Sequence, residues 1–340
     1  MKKFLNTLYI TTQGIYLHLE GESLVAEKEQ KNILRLPLHT LSGIICFGNV
    51  MCSPFLLGHC AECGIRISFL TEYGKFLARV EGPVSGNVML RTAQMKVSMD
   101  PYLASSVAKN IVAGKILNTR TVLQRYQRDH GENEKCSEII QLMAHMVRRL
   151  DSVSDLDTLR GIEGEAAKLY FSVFNLLLLN KNSNFQIKNR NRRPPLDPVN
   201  SMLSFLYTLL VHDCEAALEG VGLDPQIGFL HSLRPGRPSL ALDLIEEFRA
   251  ILADRTVLSL INLNQISEKD FLFSETGAVT LKDDARKTVL LAWQKKKKEL
   301  INHPFLNEKI EIGLLPHAQA LLLSRFLRGD LDAYPPFLWK

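Results

Sequence analysis

The sequence predicts an α+β protein in which a small β-rich N-terminal domain precedes a larger all-α C-terminal domain. Roughly the first ninety residues contain short apolar or alternating stretches separated by turn residues, a pattern typical of β-strands. Beyond them, apolar residues recur at a helical period over long stretches. With 340 residues, 46% of them hydrophobic and 23% charged, the chain is long enough for two domains and at least one well-buried core.

The N-terminal domain is predicted over residues 1–85. A helix is expected at Pro54–Cys63, because its apolar residues are helically spaced and Gly64 follows as a stop signal. Gly82, Pro83 and Gly86 form the clearest linker. The stretches expected to form strands lie within Leu8–Leu19, Ile33–Leu38, Ser42–Phe47, Ile65–Leu70 and Phe76–Val80.

The C-terminal domain is predicted over residues 86–340 as a set of amphipathic helices, because apolar and polar residues alternate there with the helical period. The aromatic tail Tyr334–Trp339 looks extended, and two alternatives stay open for it: packing back on the domain, or docking a partner. The predicted helices are Val107–Tyr126, Glu138–Leu150, Leu159–Leu179, Val199–Glu219, Ser239–Ala253, Asp283–Leu300 and Leu314–Leu327.

Charge and apolar patterning narrow the class of protein. The net charge of +5 is compatible with a nucleic-acid partner without requiring one. Thr7, Thr11 and Gln13 interrupt the apolar residues that a signal peptide would need. The longest apolar runs are far too short to cross a bilayer, so a cytoplasmic protein with reduced cysteines and no membrane partner is expected. For Cys60 and Cys63, burial on a helical stripe is a simpler account than zinc binding.

One segment of the helical part places an acid, Glu163, beside two glycines, Gly161 and Gly164. Glycine weakens a helix by roughly 1 kcal/mol relative to alanine, so its presence needs a reason. Because glycine tolerates close approach by a ligand or another backbone, two alternatives remain. Glu163 lies at a ligand site, or the glycines allow tight helix packing and Glu163 is solvated.

Two further segments carry candidate chemistry. Gly228–His231 delivers one histidine after an apolar run, and Asp243 and Glu246 share one face of a predicted helix. Each has a structural alternative: a buried histidine, and an exposed charged edge. Taken together, a histidine with two or three carboxylates suits Mg²⁺ or Mn²⁺ better than zinc, and such ions act on phosphodiesters. Spacing alone does not bring Glu163 near His231 and Glu246.

These segments, in this order, resemble the CRISPR-associated adaptation integrases, the first-numbered Cas family. The resemblance covers nearly the whole chain. The motif sequences are similar to those of a type I system, subtype I-C. Its most specific pieces are Gly161-Ile162-Glu163-Gly164, Arg193-Pro194-Pro195-Leu196-Asp197-Pro198-Val199-Asn200, Gly228-Phe229-Leu230-His231 and Asp243-Leu244-Ile245-Glu246-Glu247-Phe248-Arg249. Further support comes from Glu81-Gly82-Pro83, Gly86-Asn87-Val88 and Tyr207-Thr208-Leu209-Leu210.

The resemblance implies a catalytic site in which Glu163, His231 and Glu246 bind Mg²⁺ or Mn²⁺, with Asp243 as a second acid beside them. It implies that His231 is a metal ligand and not a general base. The implied reaction is strand transfer: a 3′-hydroxyl of a short double-stranded DNA fragment attacks a phosphodiester of the CRISPR repeat. The protein would thus be an integrase and endonuclease of spacer acquisition.

The resemblance also implies partners. Relatives form homodimers through the N-terminal domain. Two such dimers flank a dimer of a small ferredoxin-like subunit, the second-numbered Cas protein, in a heterohexamer.

Ten basic residues are candidates for DNA contact. Four lie in a loop before Pro194, two lie between His231 and the acidic helix, and four form a lysine run near a helix end, where the helix dipole alone would favour them. For the loop and the lysine run, the alternative is a solvated surface. The ten are Lys188, Arg190, Arg192, Arg193, Arg234, Arg237, Lys295, Lys296, Lys297 and Lys298.

Two rival functions compete with integration. A stand-alone nuclease acting on branched DNA would use the same residues, with water in place of the 3′-hydroxyl. A non-catalytic DNA-binding scaffold would carry the same acids as a charged edge.

Overall fold

The computed structural model describes residues 7–41, 43–72, 76–80, 82, 88–180 and 185–339. The chain divides into two compact units, residues 1–86 and 87–340. The predicted order, a β-rich unit followed by a helical one, is confirmed. Most of the expected linker, Pro83 and Gly86 included, lies outside the described residues.

Within its described residues, the N-terminal unit holds two four-stranded sheets, one α-helix and a short 3-10 helix, Leu38–Thr40. One sheet has the order β4-β3-β2-β6, with β6 parallel to β2 and the other pairs antiparallel. The other has the order β1-β5-β7-β8, with only the last pair antiparallel. The elements are β1 Thr7–Ile10, β2 Ile15–Glu20, β3 Ser23–Lys28, β4 Lys31–Pro37, β5 Gly43–Phe47, β6 Val50–Cys52, α1 Pro54–Glu62, β7 Arg66–Leu70 and β8 Phe76–Val80.

The core of this unit lies between the sheets and α1. Leu17, Leu24, Ile44 and Ile67 are buried in it, and they come from strands of both sheets. Cys60 belongs to the same core, as its place on the apolar stripe of α1 predicts. The burial expected for Cys63 is wrong: this residue follows the last residue of α1 and is exposed.

The C-terminal unit is mainly helical. Asp100, Asn133, Asp155 and Asp197 cap helices by accepting hydrogen bonds from backbone N–H groups of the first turn. The buried α6 packs against α7 and α10, while α3 packs against α4 and α5. The helices are α2 Val88–Met99, α3 Pro101–His130, α4 Glu134–Leu150, α5 Leu156–Val173, α6 Pro198–Gly220, α7 Ser239–Ile245, α8 Arg255–Asn262, α9 Asp283–Lys297 and α10 Leu315–Leu327.

Several elements differ from the sequence prediction. Helix α2 was not predicted, because only Leu90 and Gln94 are buried along it and its apolar residues therefore show no clear stripe. The predicted helix Ser239–Ala253 is interrupted: α7 ends at Ile245, a turn follows, and Arg249–Asp254 is π-helical. The unit is also not purely helical, because it contains two short hairpins. Their strands are β9 Phe271–Phe273, β10 Val279–Leu281, β11 Leu300–His303 and β12 Glu308–Glu311.

The aromatic tail packs back on its own unit. Tyr334 and Phe337 are buried, and the Trp339 ring lies between the guanidinium groups of Arg125 and Arg255, at 3.6 and 4.4 Å from its centroid. Of the two alternatives that the sequence left open, packing back on the domain is the one observed.

Within the described ranges, no helix is long and apolar enough to cross a membrane.

Candidate active site

Two of the predicted metal ligands meet through a lysine. Glu163 lies on α5, and Glu246 follows the last residue of α7. Lys115, on α3, places its Nζ against Glu163 Oε1 and 2.7 Å from Glu246 Oε2. The three side chains come from three different helical segments, so only the tertiary fold brings them together.

Glu246 is 2% exposed, and its charge is balanced by two cations. Arg249 Nη2 lies 3.0 Å from Oε1, and Lys115 is paired with Oε2. Burial alone raises the pKa of a carboxyl group. Here Arg249, Lys115 and His231 outweigh that effect and lower the pKa of Glu246 to about 2. Glu246 is therefore ionised at neutral pH, as a metal ligand must be.

His231 is held by Asp243, which is fully buried. Asp243 Oδ1 lies 2.6 Å from His231 Nδ1, and the same carboxylate accepts the backbone N–H groups of Phe229, Leu230 and His231 at 2.6–3.0 Å. Asp243 thus binds the proton on Nδ1 and leaves Nε2 as the imidazole nitrogen with a lone pair. The sequence prediction grouped Asp243 with the catalytic residues. In the structure its carboxylate bonds to His231 and to the backbone before it, the contacts expected of a residue that orients the ring.

Three further contacts fix the loop that carries His231. Gln94, buried on α2, bonds to Asp224 N, Asp224 O and Ile227 O at 2.8–2.9 Å. Arg160 Nε on α5 donates to Leu230 O at 2.6 Å, one turn before Glu163. Gly228 has no room for a side chain: a Cβ there would lie 2.8 Å from Ser239 and 2.9 Å from Asp243 Oδ2. These contacts hold the loop against α2, α5 and α7.

The two glycines beside Glu163 face open space. A Cβ atom at Gly161 or Gly164 would have no neighbour within 4 Å. No other described segment of the chain therefore packs against the helix at Gly161 or Gly164. Tight helix packing, the structural alternative for these two glycines, is not observed there. Glu163 points to a different side of α5, about 100° from Gly164 and about 200° from Gly161, and keeps 22% of its side chain exposed.

A buried polar network lies behind Glu246. Arg249 and Arg190 both place their guanidinium groups over the Tyr207 ring, at 4.9 and 5.2 Å from its centroid. The Tyr207 hydroxyl donates to Asp254 Oδ1 at 2.7 Å. Arg190 also bonds to Asn200 Oδ1 at 2.7 Å. Its guanidinium is thus used inside the protein, which argues against the DNA contact predicted for Arg190.

The other basic candidates for DNA contact fall into two groups: those paired with an acid of the protein, and those with exposed or half-buried side chains. Lys297 is buried and pairs with Asp213 at 2.8 Å, and Lys296 pairs with Glu299 at 2.6 Å. These two are therefore poor candidates for DNA contact. Lysine and arginine side chains at the remaining positions are exposed or half-buried: Lys188, Arg192, Arg193, Arg234, Arg237, Lys295 and Lys298.

Four arginines gather next to the His231 loop. Burial lowers the pKa of Arg237, and the positive charges of Arg234, Arg192 and Arg160 lower it further. Such an accumulation of like charge is unfavourable in the free protein and favourable once an anion is bound. We call Arg160, Arg192, Arg234 and Arg237 the arginine cluster.

The donor set of the site suits a hard divalent cation: two carboxylates and an imidazole. In the described ranges, no three His, Cys, Asp or Glu side chains are arranged to hold a metal ion as they stand. Glu163 and Glu246 instead both face the ammonium of Lys115. A positive charge thus already occupies the place between them, and Glu246 Oε2 is buried without accepting a hydrogen bond of good geometry. The ammonium between the two carboxylates and the buried Oε2 without a hydrogen bond of good geometry both indicate that these residues fit a cation.

Sequence reasoning missed Lys115, Gln94 and Arg160. One signal for Lys115 was available, because it follows Ile111 and Val112 on the stripe of α3 that the helical period places in the core. A lysine at such a position needs an acidic partner. Gln94 and Arg160 act through backbone carbonyls far away in sequence and leave no such signal.

Comparison with known proteins gives one family. The family model described as "CRISPR associated protein Cas1" matches residues 8–295. The chain is 54% identical over 343 residues to the CRISPR-associated endonuclease Cas1 1 of Chlorobaculum tepidum, covering 100% of both chains.

Solved structures share the fold. A Cas1 protein from Thermotoga maritima superposes with a TM-score of 0.84 and 23% identity, over 97% of this chain and 99% of that one. A casposase bound to an integration product gives a TM-score of 0.85 and 22% identity, over 99% and 95%. A Cas6-RT-Cas1–Cas2 complex gives 0.82 and 22%, over 100% of this chain and 36% of that chain. At these identities the similarity concerns the fold.

Proposed function

This chain belongs to the Cas1 family of CRISPR-associated proteins, and from that premise we propose that it is a metal-dependent DNA integrase of spacer acquisition. It joins 3′-hydroxyl ends of short duplex DNA to the CRISPR repeat by transesterification. The observation that carries the proposal is the convergence of Glu163 and Glu246 on one buried cation next to the His231 loop. The family predicted from the sequence is confirmed, whereas subtype I-C stays a prediction.

The proposed ligands of Mg²⁺ or Mn²⁺ are Glu163, Glu246 and His231. Bound there, the ion would polarise the phosphodiester and neutralise charge that develops during transfer. Glu246 contributes Oε2, because Arg249 engages Oε1. Asp243 holds the imidazole in the tautomer whose Nε2 can act as a ligand. The chain thereby keeps two carboxylates and an imidazole oriented before DNA arrives.

We place the DNA backbone across the open face of α5. Gly161 and Gly164 leave that face without side chains, so a sugar-phosphate backbone can closely approach the turn of α5 that carries Glu163. The arginine cluster lies beside the same loop and supplies positive charge for phosphates. Arg192, Arg234 and Arg237 are therefore our leading DNA contacts, with the exposed Arg193, Lys188, Lys295 and Lys298 as secondary ones.

We also propose the partners that the family resemblance implies: double-stranded DNA fragments, repeat DNA, a second copy of this chain, and a small Cas2-type subunit in a heterohexamer. Support for a second copy comes from the exposed apolar side chains Tyr16, Met51 and Phe55 of the N-terminal unit. Tyr16 and Met51 are paired on neighbouring strands, and Phe55 follows in α1.

The test is strand transfer of a labelled duplex fragment into a repeat-bearing plasmid in Mn²⁺, with the partner subunit present. Wild type is compared with Glu163→Ala, His231→Ala and Glu246→Ala. Joined product should form with wild type and disappear in all three variants and with chelator. Glu165→Ala is the matched control, because Glu165 is exposed on the same helix.

Each rival function predicts a different product. Cleavage without joining would indicate the stand-alone nuclease. Binding of DNA that needs none of the three residues, together with no covalent product, would indicate the scaffold. Joining that survives all three substitutions would place the active site elsewhere.

A further inference from the structure

Lys115 occupies an unusual position for a lysine. It is 8% exposed on α3, in a helix whose buried face is otherwise mainly apolar. Burying an ammonium group is costly unless anions compensate it. Both compensating anions are the carboxylates that the proposed metal site needs, Glu163 and Glu246.

The pairing assigns each oxygen of Glu246 to one cation. Oε1 belongs to Arg249 and Oε2 to Lys115. A divalent cation that binds Glu246 must therefore use the oxygen on which Lys115 now lies. The same holds for Oε1 of Glu163. A protonated lysine has no lone pair, so it cannot join the ion as a ligand.

We propose that Lys115 is the counter-cation of the metal-free site and that a divalent cation binds by displacing its ammonium group from Glu163 and Glu246. This inference rests on the proposed function, since it uses the same carboxylates. In the metal-free chain Lys115 offsets the repulsion between two adjacent carboxylates and keeps them facing each other. It also competes with the ion, so metal affinity is lower than the carboxylates alone would give.

Calorimetric titration of the full chain with Mn²⁺, without DNA, tests the proposal directly. Lys115→Met removes the charge and keeps an unbranched apolar side chain. We expect Mn²⁺ to bind this variant at least about tenfold more tightly than wild type, because no ammonium has to leave. Lys109→Met is the control, since Lys109 lies on the same helix and contacts only the carbonyl of Asp151 among the contacts described for it.

Thermal unfolding supplies a second readout. Without metal, Lys115→Met should unfold at a lower temperature than wild type, because two buried or half-buried carboxylates then repel each other. Saturating Mn²⁺ should raise its unfolding temperature by more than it raises that of wild type. If the variant is unfolded without metal, Mn²⁺ should restore folding, because the ion supplies the missing charge.

Distinct outcomes overturn the two proposals. Weaker or unchanged Mn²⁺ binding by folded Lys115→Met, or no folding with or without Mn²⁺, would contradict displacement and make Lys115 a structural partner of the carboxylates. Glu163→Gln tests the site itself. Mn²⁺ binding that this variant leaves unchanged would contradict the metal site, whatever Lys115 does.

Discussion

Asp243 determines, through a single carboxylate, where the imidazole of His231 points. We expect Asp243→Asn to weaken Mn²⁺ binding and strand transfer about ten- to a hundredfold, the usual cost of losing a carboxylate that orients a ligating histidine. The amide nitrogen of asparagine also cannot accept the N–H groups of Phe229 and Leu230. Calorimetry with Mn²⁺ and the strand-transfer assay measure the effect. The exposed Asp332→Asn is the control, and an unchanged Asp243→Asn would show that His231 needs no such support.

Asp254 gives the protein a pH dependence that can be separated from catalysis. Burial raises its pKa from 3.8 to about 6, against the hydrogen bond from Tyr207. The folded chain therefore holds this proton more tightly than the unfolded chain. The resulting stabilisation is complete below about pH 4 and is lost as the pH rises through about 6.

Asp254→Asn cannot titrate. Relative to wild type, its free energy of unfolding should therefore rise by up to about 3 kcal/mol between pH 4 and pH 7. Denaturant unfolding of both chains at the two pH values gives the difference. Equal pH dependence in the two chains would show that Asp254 is already ionised in the folded protein throughout this range.

At the scale of elements, the C-terminal tail braces the segment that carries Glu246. Glu247, its neighbour, accepts hydrogen bonds from the Tyr334 hydroxyl at 2.5 Å and from Phe337 N at 2.7 Å. Asn118 on α3 donates to the carbonyls of Glu247 and Phe337, both at 2.8 Å. The tail, α3 and the turn after α7 are thus tied together at one point.

Phe337→Ala should lower the free energy of unfolding by about 3–5 kcal/mol, because it leaves a cavity in this contact. It should also weaken Mn²⁺ binding, since Glu246 loses its support. Leu338→Ala, at a half-buried neighbour, should have a smaller effect on both. Lost stability with unchanged Mn²⁺ binding would limit the tail to a structural role.

The glycines of α5 oppose helix stability, and the proposed function explains their presence. Alanine at Gly161 and Gly164 should stabilise the folded chain by about 0.5–1 kcal/mol per site, because a Cβ meets nothing there and helix propensity improves. Strand transfer should nevertheless fall, since the added methyl groups keep the DNA backbone away from the turn of α5 that carries Glu163. Thermal unfolding and the joining assay are the measurements. A stabilised double variant with full activity would show that DNA does not approach over this face.

At the scale of the whole molecule, the N-terminal unit presents apolar side chains that a second copy would cover. Phe55 is 82% exposed and Met51 is 60% exposed. Phe55→Glu should convert a dimer into a monomer, as measured by light scattering coupled to gel filtration. Ile33→Glu alters a similarly exposed apolar residue on β4 and should leave the dimer intact. The reverse pattern would place the interface at the β4 side of the sheet.

Much of the fold was predictable because local signals and burial agree. Gly64 ends α1 where its stop signal indicated, and Asp197 caps α6 ahead of Pro198. Prediction failed where tertiary contacts override local pattern. Helix α2 exposes most of its apolar residues. The helix after Ser239 is interrupted at Glu246, which forms a buried ion pair with Arg249.

Sequence patterns were sufficient to predict the two-part α+β organisation, the family, and the candidates Glu163, His231 and Glu246. Periodicity and short motifs encode these, because they depend on residues close together in the chain. Four contacts became visible only in the folded chain: Lys115 lies between the two carboxylates, Asp243 supports His231, Arg190 bonds inside the protein, and the tail packs back on its own unit. Each of these contacts joins residues from separate segments, and the fold as a whole fixes them.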